Sequence, residues 1–190
     1  MESKLFSQNQ YTLRRKFFKF FGKAFHIYKA NGGLAFYAKL KAFKLKEDIR
    51  LYTGEDMKEE VLLIKARQIL DFSAAYDVVD SKTGKKIGSL KRKGFKSLFK
   101  GSWIIMDTSD KEIGKVEEDN FGLAFLRRQV TSLIPQNFSI TSGGKEVANM
   151  KQRFNPIIFR MDLTFTGTTL DKRMGLALLV LIGAIEGRQS

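Results

Sequence analysis

Apolar and polar residues alternate along most of this chain. Phe43, Leu45, Ile49 and Leu51 hold odd positions between Lys44, Lys46, Asp48 and Arg50, so a strand there sends one face to a core and the other to water. Phe159, Met161, Leu163 and Phe165 alternate with Arg160, Asp162 and Thr164 in the same way. This is the pattern of antiparallel sheet with one wet face. Further strands are predicted over Phe25–Tyr28, Leu34–Ala38, Val61–Ala66, Ala74–Val79, Ile87–Lys91, Trp103–Asp107, Ile113–Glu117 and Phe138–Thr141. Turn chemistry joins them at Ala30-Asn31-Gly32-Gly33, Asp80-Ser81-Lys82-Thr83-Gly84, Asp107-Thr108-Ser109-Asp110 and Ser142-Gly143-Gly144.

The turns expose a repeat. Strand, Gly-containing turn, second strand and basic stretch occur in FHIYKANGGLAFYAKLKAFKL, in YDVVDSKTGKKIGSLKRKGFKSL and more faintly in FSITSGGKEVANMKQRF. Related hairpins in series suggest a closed or nearly closed β structure, because closure removes exposed sheet edges. Two segments break the period of two. Phe121–Ile134 places apolar residues at three- and four-residue spacings before Pro135, which predicts a helix packed on the barrel. Met174–Ile185 is apolar on every face and bounded by charge. It falls short of the roughly 20 residues that cross a bilayer, so a buried helix is expected, capped at Thr168–Asp171 and spanning 171–187. The pattern therefore predicts a mainly β single domain over residues 1–190, an antiparallel barrel wrapped around its own C-terminal helix, with residues 1–10 a flexible N-terminus.

Composition narrows the chemistry. Of 190 residues, 43% are apolar, enough for a core, and no cysteine is present for a disulfide, a thiolate metal site or a cysteine nucleophile. His26 is the single histidine and sits in a strand pattern, where a structural role is expected. No GxSxG elbow, P-loop or GxGxxG motif occurs. The expectation is a protein that is not an enzyme and has no cofactor and no metal. Glu2, Lys4, Gln8 and Gln10 interrupt any apolar export segment, so a cytoplasmic monomer is expected.

The net charge of +14 is unevenly distributed. One acid-free run holds Lys85, Lys86, Lys91, Arg92, Lys93, Lys96 and Lys100; another holds Arg14, Arg15, Lys16, Lys19 and Lys23 among Phe17, Phe18, Phe20 and Phe21. Cations interleaved with aromatics suit the surface of an anionic phospholipid membrane, contacted peripherally from its inner face. A solvated barrel face with core phenylalanines accounts for the same residues, and a protein partner or nonspecific nucleic-acid binding competes for the charge. No RNA-binding signature or helix-turn-helix is readable, which makes nucleic acid the weaker alternative.

The hairpin repeats, the stretch KARQILDFSAAYDVVDSKTGKKIGSLKRKG and the terminal LDKRMGLALLVLIGA resemble the LURP-one-related family, grouped with phospholipid scramblases and the tubby C-terminal domain. The resemblance runs over roughly Tyr11 to Gly187. It implies a tubby-like closed barrel of about twelve strands enclosing the hydrophobic helix. Tubby-type barrels bind phosphoinositide head groups, and scramblases are associated with phospholipid movement and calcium. In scramblases the segment entering the terminal helix is acidic; here only Asp171 keeps a carboxylate, against the six to eight oxygens that calcium takes.

Overall fold

A computed structural model describes residues 5–18, 22–40, 48–67, 74–93, 102–119, 135–155 and 158–186. Twelve strands run β1 (Gln10–Phe18), β2 (Gly22–Lys29), β3 (Leu34–Leu40), β4 (Ile49–Tyr52), β5 (Glu60–Ala66), β6 (Ala75–Asp80), β7 (Lys86–Arg92), β8 (Trp103–Met106), β9 (Glu112–Glu118), β10 (Asn137–Ser142), β11 (Lys145–Arg153) and β12 (Arg160–Phe165). The helix α1 (Lys172–Glu186) follows. Each strand pairs antiparallel with its neighbours in sequence, and β1 closes on β12 from Gln10↔Thr164 to Arg14↔Arg160. The barrel therefore has no free edge.

The repeats are hairpins. FHIYKANGG spans β2 to β3, YDVVDSKTG spans β6 to β7, and FSITSGG spans β10 to β11. Gly84 at φ +67° and the pair Gly143 and Gly144 at +58° and +78° hold left-handed conformations at their turns, where a side chain would be strained. The turns between β2 and β3, β4 and β5, β6 and β7, β8 and β9, and β10 and β11 share one rim, which α1 also enters. The strand ends at Phe18, Leu40, Ala66, Arg92, Glu118 and Arg153 share the other.

A helix core is a geometric necessity here. Eight strands close around a space that side chains alone can fill, whereas twelve give a barrel roughly 20–25 Å across between backbones, enough for a helix about 10 Å thick and a shell of strand side chains. Leu176 through Leu181 are wholly buried, surrounded by inward residues such as Tyr11, Phe25, Ile64, Tyr76, Leu90, Trp103, Ile140 and Leu163. The all-round hydrophobicity read from the sequence is thus matched by burial on all sides. Fit is tight where α1 enters: a Cβ on Gly175 would lie 2.5 Å from Cζ of Phe165. Asp171 caps the helix, its Oδ1 accepting from the Arg173 N–H at 2.9 Å. Among the described residues no helix is long and apolar enough to cross a membrane.

Three expectations change. The first part of the run Arg14–Lys23, read as a charged aromatic cluster, belongs to the strand Gln10–Phe18, whose Tyr11, Leu13 and Arg15 alternate into the barrel. The N-terminus is not loose from Leu5 onward, because Phe6 is buried and stacks on Phe36 at 5.2 Å, while Lys172 Nζ donates to Ser7 O and Asn9 Oδ1 at 2.8 Å each. The predicted strand over Phe43–Leu51 is observed as Ile49–Tyr52; its first half and the predicted helix over 121–134 lie outside the described residues.

Candidate functional site

The run from Lys85 does not make one patch. A seven-residue strand extends about 20 Å, so β7 carries its cations to opposite rims. Lys85 is exposed in the turn that precedes the strand, while Lys91, Arg92 and Lys93 sit at the far end, with Lys91 and Lys93 exposed and Arg92 half-buried. Lys86 is committed locally. Its Nζ lies 2.8 Å from Asp110 Oδ1 and 3.4 Å from Asp77 Oδ1, and Arg67 Nη2 donates to Asp77, to Asp110 at 2.7 Å and to Ser89 Oγ at 2.7 Å. Two cations meet two carboxylates around the buried Ser89, so this knot on the outer wall is charge-balanced. Hydrogen bonds from Arg67, Lys86 and Ser89 hold the Asp110 carboxyl well below the carboxylate range. Burial pushes Asp77 up, but Arg67, Ser89 and Lys86 together bring it below its ordinary value. Lys96, Lys100 and Lys19 lie outside the described residues, and Lys16 is placed by its backbone in β1.

The second run divides across the barrel wall. Strand alternation sends Arg14 out and Arg15 in; Arg15 is only 3% exposed, its guanidinium 5.4 Å from the Phe159 ring, and burial draws its pKa down. Arg15 is therefore not part of a cationic outer face. Arg14 is exposed over the Tyr28 ring at 4.8 Å.

Register adds residues that the sequence reading passed over. Arg14 stands opposite Arg160 of β12, and Arg160 stands opposite Arg153 of β11. All three point outward, since Leu13, Met161 and Met150 point into the core. Arg153 Nε donates to Asp162 Oδ2, whose other oxygen accepts from Thr12 Oγ1 at 2.7 Å. Arg160 Nε is buried without an acceptor, and neither Arg14 nor Arg160 has a carboxylate partner among the described residues. On the other side of Arg14 the row continues to His26, whose Nε2 lies 2.8 Å from Glu55 Oε1 and whose ring packs edge-on to Tyr37 at 5.1 Å. Phe154, next to Arg153 at the rim, is 61% exposed, the most exposed of the large apolar side chains described. Only strand pairing brings residues 14, 153 and 160 together; alternation around Phe159 marks Arg160 as outward and the basic run marks Arg14, but nothing local marks Arg153 or links the three.

The turn rim differs in charge. Glu55, Asp56, Glu59, Glu60, Asp80, Asp107, Glu112, Glu146 and Asp171 interleave there with Lys58, Lys82, Lys111, Lys145, Lys172 and Arg173. Arg173 bridges Asp171 and the buried Asp80, with Nη1 2.8 Å from Asp80 Oδ2. Asp171 is thus spent on capping and pairing. Among the described residues no group of three His, Asp or Glu side chains is placed to hold a metal ion.

Residues 34–183, ten strands of the barrel and most of the helix plug, match the family model described as LURP-one-related. The chain belongs to the LURP-one-related family. No curated protein matches it. Within this LURP-one-related barrel the matched segment covers β3 through most of α1, and so includes Arg153, Phe154 and Arg160; β1 with Arg14, and β2, precede it.

Proposed function

We propose that this LURP-one-related barrel is a non-enzymatic module that binds anionic phospholipid head groups at a membrane surface, with the rim bearing Arg153 and Phe154 toward the lipid. The observation that carries this reading is an exposed phenylalanine beside a row of cations. An aromatic ring that has no protein to cover it gains from entering the interfacial region of a bilayer, while each Lys or Arg near an anionic surface contributes about 1 kcal/mol. The same rim bears Lys91 and Lys93 on β7, about half the circumference away from Arg14 on β1. Across roughly 20–25 Å, no single small anion can reach both groups, but a planar surface can.

Co-sedimentation with phosphatidylcholine vesicles, with and without phosphatidylglycerol, tests the proposal. Binding should require the anionic lipid, weaken about tenfold on Phe154→Ala, and weaken further when Lys91 and Lys93 are changed to Glu. Absence of wild-type binding at physiological salt would remove it. Equal retention by the variants, together with a steep salt slope on single-stranded DNA, would favour nucleic acid instead.

A further inference from the structure

The row Arg14, Arg160, Arg153 is costly as it stands. Like charges directly opposite on paired strands destabilise a sheet, with Cβ atoms about 4.5–5.5 Å apart. Here two such pairs share Arg160. Among the described residues one carboxylate, Asp162, serves the row, and it is already engaged by Arg153 and Thr12. Arg14 has the face of Tyr28, and Arg160 keeps a buried Nε donor without an acceptor. His26, which follows Arg14 in the row, is itself paired with Glu55 at 2.8 Å. Among the described residues, three guanidiniums against one carboxylate leave two positive charges on neighbouring strands.

We infer that Arg14, Arg153 and Arg160 form a binding site for a phosphate monoester dianion. The inference rests on the reading of this rim as a lipid-facing surface, and names the head-group chemistry that the rim selects. A monoester carries between one and a half and two negative charges near pH 7 and presents three terminal oxygens, which matches the residual charge and the forked donors of arginines set side by side on three adjacent strands. A diester brings one charge and two such oxygens, and a carboxylate brings one charge. Either leaves part of the row uncompensated. The monoester can belong to a lipid head group or to a soluble phosphate.

Two measurements at pH 7.5 separate these sources. Co-sedimentation compares phosphatidic acid with phosphatidylglycerol vesicles adjusted to equal surface potential, and calorimetry measures glycerol 3-phosphate in solution. Wild type should prefer phosphatidic acid. Arg160→Gln and the fully outward Arg14→Gln should each lose about tenfold in that preference, as expected for one charge-assisted contact, beyond the smaller loss that both vesicle types share when one cation leaves the surface. Arg14→Gln keeps the test valid if Arg160→Gln fails to fold. Glycerol 3-phosphate binding that disappears in the variants, without vesicle binding, supports the site with a soluble ligand and removes only the membrane proposal. Equal binding of both vesicles by wild type and variants, without glycerol 3-phosphate binding, overturns the monoester site and leaves the membrane proposal standing. Failure to bind either vesicle or glycerol 3-phosphate overturns both.

Discussion

Leu179 lies mid-helix in the centre of the barrel and is wholly buried. Truncation to Ala removes a buried isobutyl group and leaves a cavity that a closed barrel cannot collapse onto easily, because each strand is held on both sides. Such truncations cost about 2–5 kcal/mol, and the rigid surroundings place this one in the upper half of that range. At about 2–4 °C per kcal/mol for a chain of this size, the melting temperature should fall by roughly 7–20 °C. Leu179→Asp adds a carboxyl group with no partner among Leu176 to Leu181; even in its neutral form, its unsatisfied polar atoms add a few kcal/mol to the cavity. The sum approaches the 5–15 kcal/mol that typically holds a domain together, so Leu179→Asp should fail to fold. Leu179→Met conserves volume and should cost less than about 1.5 kcal/mol. Thermal melts by circular dichroism, with near-ultraviolet signal as the measure of packing, check all three. A folded Leu179→Asp variant melting within a few degrees of wild type would refute the plug and place the helix at a surface.

Other changes report on separate parts of the fold. Gly114→Ala should destabilise strongly, because its Cβ would meet the Thr141 carbonyl oxygen, part of the neighbouring backbone; Gly84→Ala has open space and should cost only about 1–2 kcal/mol for its left-handed φ, as read in denaturant melts. Asp77 and Asp110 have folded pKa values below their unfolded ones, so their stabilisation is fully present above about pH 4 and is lost as the pH falls below it. A melting series from pH 6 to pH 2.5 should show that loss, and Asp110→Asn should show a shallower one. Arg173→Gln removes a bridge to the buried Asp80 at the helix entrance and should lower the melting temperature more than Lys82→Gln, an exposed charge in the adjoining turn.

Much of the fold was legible locally. Alternation around Met161 and Leu163, the Gly-bearing turns at Gly84 and Gly143-Gly144, and the unbroken apolar run from Met174 each carry their own signal within a few residues. Gln10–Phe18 was harder to read, because Arg15 occupies an inward position and Arg14, Lys16 and the neighbouring phenylalanines read as a surface motif. The candidate site was legible only in fragments. Arg14 stood out through its basic run and Arg160 through the alternation that set it on a wet face, whereas Arg153 and Phe154 had no local mark.

The sequence by itself determined which apolar residues face in along the alternating strands, where the hairpins turn, and that the tail needs a wall on every side. These follow from periodicity and side-chain chemistry, which act over a few residues. Tertiary structure alone decided the fate of each charge. Lys86 was neutralised by acids from β6 and the β8–β9 turn, Arg15 was taken into the barrel, and three arginines from the first and the last two strands were set in one row. Closure of β1 on β12 joins residues some 150 apart. Electrostatic neighbourhood depends on that register, and no pattern within a single strand encodes it.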